Sequence, residues 1–211
     1  MARHRLTGDR VLDLEVLPSA TTLRSVSVLG RRLRRADLAA AVGRALEAGG
    51  APERAAAGLV LADDETLAGL NVAHMGHAGP TDVLSFPLLP PQAFPPHPGG
   101  AARPASSAAT FVLPPGLRPQ VGEIVVSVER AIAQAREGRG GWSGGTAWDP
   151  ADELILLATH GTLHLCGWDH ADPAEGAAMR ELESALLAAA GVSPGAGVSP
   201  AAGDGRVLPS G

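Results

Sequence analysis

The sequence predicts one domain of the α+β or mixed α/β class. Three observations lead there. The chain has 211 residues, which suits a single core better than two. Hydrophobic residues make up 45% of it, too many for a chain disordered throughout. Strand-like and helix-like segments then mix without the strict alternation of a wound parallel sheet. Aromatic residues are only 3%, with no tyrosine, so the core must be built from leucine, valine and alanine.

Taken in order, residues 10–16 and 25–29 read as short strands. Asp37 begins a helix with Leu38, Val42, Ala45 and Leu46 on one face; Gly49 and Gly50 stop it. Residues 58–62 form an apolar strand, and Asp63 or Asp64 caps a short helix reaching Asn71. Residues 81–88 read as the next strand. From 89 to 119 proline, alanine, glycine and serine dominate. Such a long structureless stretch is uncommon inside a domain, so it reads as a surface insertion, with room for one short strand at 110–113. Residues 123–127 resume the sheet. The helix 128–137 follows, turning Val128, Ile132 and Ala135 inward, and 138–146 is a second flexible loop. Asp149 and Pro150 open a helix reaching about Cys166. Its residues 154–158 are apolar on every side, so it is expected to be buried. Asp172 and Pro173 start the last helix, with Met179, Leu182, Leu186 and Ala189 as its inner stripe. The domain is expected to span 1–190, with 191–211 a Gly/Pro/Ser-rich disordered tail.

Charge narrows the partners. All basic residues are arginines and the net charge is −5, so no global basic field marks a nucleic-acid binder. Any such contact must use local patches, of which Arg31, Arg32, Arg34 and Arg35 are the densest; a solvated helix entry explains the same run. The single cysteine, Cys166, forbids an internal disulfide and fits a reducing cytoplasm. The N-terminal segment has no apolar run of the signal-peptide kind. No stretch approaches the roughly 18 apolar residues of a membrane span.

Three of the seven histidines fall within His160-Gly-Thr-Leu-His164-Leu-Cys-Gly-Trp-Asp-His170. His160 and His164 are four apart on a helix, so both rings project from one face. Gly167 lets the chain leave the helix and fold back, which brings in His170 as a third ligand. Three neutral nitrogens suit one zinc ion and leave a position open for water, the catalytic type of site. Zinc lowers the pKa of such a water to about 7. The spacing HxxxHxxGxxH also matches the metzincin proteases. Those carry a glutamate as general base directly after the first histidine. Here Gly161 stands there, which argues against proteolysis.

The string from His160 to His170 resembles the signature of the YbeY family, metal-dependent endoribonucleases of ribosomal RNA maturation. Residues 80–87, Pro-Thr-Asp-Val-Leu-Ser-Phe-Pro, resemble the family's PTDVLSFP strand, and residues 122–127, Gly-Glu-Ile-Val-Val-Ser, its GDIVIS strand. The resemblance covers roughly residues 25–190 apart from the two loops. It implies a small α+β domain in which helices flank a central mixed sheet, with zinc held by His160, His164 and His170 at the end of a buried helix. It further implies cleavage of a ribosomal RNA precursor as a single-strand-type endoribonuclease, in small-subunit maturation and ribosome quality control. The small ribosomal subunit and its associated proteins are the implied partners, with no membrane involved. One departure stands out. The family places an arginine four residues after the asparagine matching Asn71, and here that residue is Met75. His74 and His77 either substitute for it or are loop surface. An alternative function stays open on this ground: a ribosome-associated binding protein whose catalysis is weak or lost.

The remaining site candidates each have two readings. Asp169 either orients a histidine ring or serves as a turn partner. Glu153, two turns before His160, either supports a ligand or is a first-turn acid favoured by the helix dipole. Cys166 either ligates the metal or packs as a small hydrophobe. Thr81, Asp82 and Ser85 either line the site or are turn and sheet residues.

Overall fold

Five strands make one mixed sheet in the computed structural model, which describes residues 1–6, 9–30, 33–100, 114, 116–138 and 148–192. The strands are β1 (Ala2–Arg5), β2 (Val11–Val16), β3 (Ala56–Ala62), β4 (Val83–Pro87) and β5 (Gln120–Ser127), in the order β1-β2-β3-β5-β4. β2, β3 and β5 run parallel, and β1 and β4 close the two edges antiparallel. The parallel centre is where the sequence is most continuously apolar, as strands covered on both faces require.

The helices are α1 (Ala20–Leu29), α2 (Arg35–Ala48), α3 (Asp64–Leu70), α4 (Val128–Glu137), α5 (Pro150–Leu165) and α6 (Pro173–Ala189). Their starts are set by short polar side chains that accept otherwise orphan backbone N–H groups. Asp63 accepts from Thr66 N–H at 2.9 Å. Asp149 accepts from Ala151 N–H at 3.0 Å, and Asp172 from Ala174 N–H at 2.8 Å. One large core unites one face of the sheet with α2, α4, α5 and α6; a small second cluster around Ala62, Leu67 and Val125 lies under α3. Residues 154–158 of α5 are buried throughout, as their all-round apolarity predicts.

Four expectations need correction. Residues 25–29 are not a strand but the second half of α1. The five-residue alternation Ser-Val-Ser-Val-Leu is outweighed by the upstream cap, in which Ser19 Oγ accepts from Thr22 N–H at 2.9 Å. Thr22 and Leu29, two turns apart, are then the buried residues of that helix. The stretch after β4 is not wholly a surface insertion. Pro91–Ala93 forms a 3-10 turn, and Phe94 and His97 are buried. Residues 101–113, with the expected strand at 110–113, lie outside the described residues, as do 139–147 of the second loop.

On α6 the inner stripe is Glu175, Met179, Glu183 and Leu187. Leu182 and Leu186 are half-buried beside it and Ala189 is exposed. At the tail, Val192 is buried and its N–H donates to Leu187 O at 3.0 Å; residues 193–211 lie outside the described residues. β1, in the charged N-terminal segment, joins the sheet as its edge. Arg3 there forks onto Asp13 of β2 at 2.7 and 2.8 Å.

Candidate metal centre

α5 can carry chemistry because it lies unusually close to the sheet. A Cβ at Gly161 would stand 2.7 Å from Ile124 Cγ2 and 3.0 Å from Ser85 Oγ. A side chain as large as glutamate has no room there. Ser85 Oγ donates to Gly161 O at 3.0 Å and so ties β4 to α5.

Next to that contact, His160 and His164 project a turn apart from α5 and are half-buried. Gly167, with φ of 82°, reverses the chain, and His170 returns from the loop. One ring nitrogen from each histidine lies within 4.8 Å of the other two. The Nε2 atoms of His160 and His164 are 3.0 Å apart. Ligands about 2.0–2.1 Å from one tetrahedral ion stand about 3.3 Å apart, close to that value.

The ring tautomers decide what this proximity means. His164 Nδ1 lies 2.9 Å from Trp168 O, and a carbonyl only accepts. His160 Nδ1 lies 3.0 Å from Glu183 Oε1, again an acceptor. Both protons therefore sit on Nδ1, and in the neutral rings two bare Nε2 lone pairs face each other. A proton on one of the two nitrogens, or a metal ion between them, relieves that repulsion. The donor set fits a metal ion.

The electrostatics differ between the three rings. His164 is pushed down to about 3 by burial and then by the charges of His160 and His170, so its ring is neutral near pH 7. His170 is lowered by burial and by His160. For His160 burial also works downward, but the hydrogen bond and charge of Glu183, with Asp82, leave it raised.

The other candidates divide. Asp169 is a turn partner: its Oδ1 accepts from His170 N–H at 2.7 Å and from Ala171 N–H at 3.2 Å. The carboxylate that orients a ring is Glu183, which the sequence reading missed. Its signal was an acid placed four residues from Met179 and from Leu187 on a core stripe. Glu153 is buried and accepts from Trp148 Nε1–H at 2.7 Å. Burial pushes its carboxyl up to about 7; Trp148 opposes this, and the charges of Asp82 and Glu183 add to it. Glu153 therefore belongs to the electrostatic surroundings of the site. Cys166 is buried and its thiol is pushed up to about 12, so it packs as a small hydrophobe.

Asp82 anchors the start of β4. It accepts from Val83 N–H and from Gln134 Nε2–H, both at 2.9 Å; Thr81 Oγ1 lies 3.2 Å from it. Asn71 donates from Nδ2 to Gly79 O at 2.9 Å and so closes the loop before β4. Met75 is half-buried in a π-turn, Asn71–Met75. His74 meets Phe86 edge-on at 5.2 Å between ring centres, and His77 is exposed.

A mixed sheet thus backs a buried helix whose end brings together three imidazoles that could hold one metal ion. Comparison with known proteins narrows this. The family model described as Endoribonuclease YbeY matches residues 31–191. The Endoribonuclease YbeY of Symbiobacterium thermophilum is 37% identical over 71% of this chain and 82% of that protein. That of Renibacterium salmoninarum is 40% identical over 61% of this chain and 67% of that protein. That of Salinispora tropica is 38% identical over 72% of this chain and 85% of that protein. The chain belongs to the YbeY endoribonuclease family, which supports an RNA-cleaving role. Among the described residues, no helix is long and apolar enough to cross a membrane.

Proposed function

We propose that this chain is a zinc-dependent endoribonuclease of the cytoplasm that cuts ribosomal RNA precursors during small-subunit maturation and quality control. One observation carries the chemistry: three imidazoles whose free nitrogens converge while two of their Nδ1 protons are held elsewhere. His160, His164 and His170 would hold one zinc ion. When bound, zinc supplies an activated water and neutralises charge on a phosphodiester. Glu183 holds the Nδ1 proton of His160 and fixes that ring; Trp168 O does the same for His164. Half-buried His170 leaves the open side of the cluster toward solvent, where a flexible single-stranded RNA reaches it more readily than a duplex. Family membership supports RNA as the substrate; the small subunit as partner is part of this proposal.

His164→Ala should lose the zinc and with it cleavage of a precursor RNA, measured at single turnover beside elemental analysis. Full metal content in that variant would overturn the ligand assignment. Full metal content in the wild type without cleavage would favour the second reading, a ribosome-associated binding protein. Met75, standing at the family's arginine position without a charge to offer phosphate, is the observation that keeps that reading in play.

A further inference from the structure

The described part of the stretch after β4 does more than connect strands. His97 is buried, its side chain 3% exposed, and its ring stacks on Trp168 at 4.1 Å with 7° between planes. Its Nδ1 lies 3.2 Å from Glu175 Oε1. That same oxygen accepts from Asp169 N–H at 3.1 Å. Two residues on, Gly99 lies so close to the first turn of α6 that a Cβ would stand 2.5 Å from Ala174 C and 2.6 Å from Glu175 N. The part of this stretch around His97 and Gly99 is therefore a strap lying on the first turn of α6, with Gly99 in backbone contact.

Trp168 and Asp169 are the residues through which two ligand rings are placed. Trp168 O accepts the Nδ1 proton of His164, and Asp169 Oδ1 accepts the N–H of His170. The strap grips both, one by stacking and the other through Glu175. Gly176 completes the seat, since a Cβ there would be 3.2 Å from His170 Cβ. A loop ligand has no helix to hold it, so its precision must come from such supports.

We propose that this strap, with His97 at its centre, is a positioning element for the metal loop, setting His164 and His170 through Trp168 and Glu175. It makes His97 a positioning residue, not a ligand. The metal half of this inference rests on the zinc reading above; the loop half does not.

The test uses the full chain and two readouts. In metal-free protein, hydrogen exchange at the Asp169 and His170 amides should speed up about tenfold or more in His97→Ala, while the amides of β5 keep their protection. In competition with a chromophoric chelator, the same variant should bind zinc about 10–100-fold more weakly. Leu67→Ala, which removes a buried side chain from the separate cluster under α3, controls for general loss of stability. It should lower the melting temperature and leave both readouts near wild type. Should His97→Ala fail to fold, His97→Phe decides, keeping the stack and cutting the link to Glu175. Unchanged exchange at Asp169 and His170, or equal effects in Leu67→Ala, would overturn the strap. A wild type that takes up no zinc would instead overturn the metal reading, with the exchange result still deciding the strap.

Discussion

Glu183 gives the sharpest test of the metal centre, because its charge should act in opposite senses with and without metal. Glu183→Gln keeps size and an oxygen acceptor for His160 Nδ1 but removes the negative charge. The carboxylate is 3.0 Å from that nitrogen and its side chain only 7% exposed, so solvent screens it little. A hydrogen bond to a charged group contributes roughly 1.5–3 kcal/mol. Losing the charge makes the His160 ring a poorer donor to the ion, and such supporting partners typically change metal affinity by about 10–100-fold, roughly 1.4–2.7 kcal/mol. Metal-free protein responds differently. Glu183 adds to the charge pressing on buried Glu153, so the glutamine variant should melt no lower than wild type without metal at pH 8. The assay is a zinc competition titration with thermal melts of the metal-free and zinc-loaded forms. Wild-type zinc affinity in Glu183→Gln would refute the assignment of this carboxylate as the orienting partner of His160.

Gly161→Ala should destabilise by about 1–3 kcal/mol through overpacking against Ile124, despite alanine's better helix propensity; a higher melting temperature would show the contact to be looser than described. Glu153 is raised from 4.5 to about 7 in the folded chain. It takes up a proton on folding between those values, so stability of metal-free protein falls as pH rises through that window. Glu153→Gln should remove that decline, with melting temperatures equal to wild type near pH 4 and higher above pH 7; parallel pH profiles would argue against it. Met75→Arg should raise single-turnover RNA cleavage, up to about a hundredfold, since charge neutralisation at phosphate contributes a few kcal/mol, at constant zinc content. No change in rate would mean that this loop does not serve the chemistry.

Much of the ligand set was legible because helical spacing is rigid. An i, i+4 pair of histidines followed by glycine and a third histidine leaves few geometries open. Helix starts at Asp149 and Asp172 were legible for the same local reason, a cap followed by proline. What was not legible depended on contacts distant in sequence. Glu183 reaches His160 from α6, and His97 reaches Trp168 from the far side of β5. Neither pairing leaves a local periodicity. The weak hint for Glu183 was a carboxylate on an otherwise apolar stripe, which makes sense only once a buried partner is known. Residues 25–29 failed for the opposite reason: a five-residue alternation is too short to outweigh a cap six residues upstream.

The place of Cys166 has a use beyond packing. Its sulfur is the sole thiol of the chain, and it sits at the end of α5, two residues from His164. Gly49 on α2 lies so close that a Cβ there would meet it at 2.6 Å. A thiol this buried, with its pKa pushed up to about 12, offers an alkylating reagent neither access nor thiolate in the closed state. Labelling therefore reports openings that expose this end of α5. Its rate counts those openings directly, without any introduced probe. The protein thus carries its own clock for the breathing of the histidine helix, readable by mass alone and comparable between metal-free and metal-loaded forms of an unaltered chain.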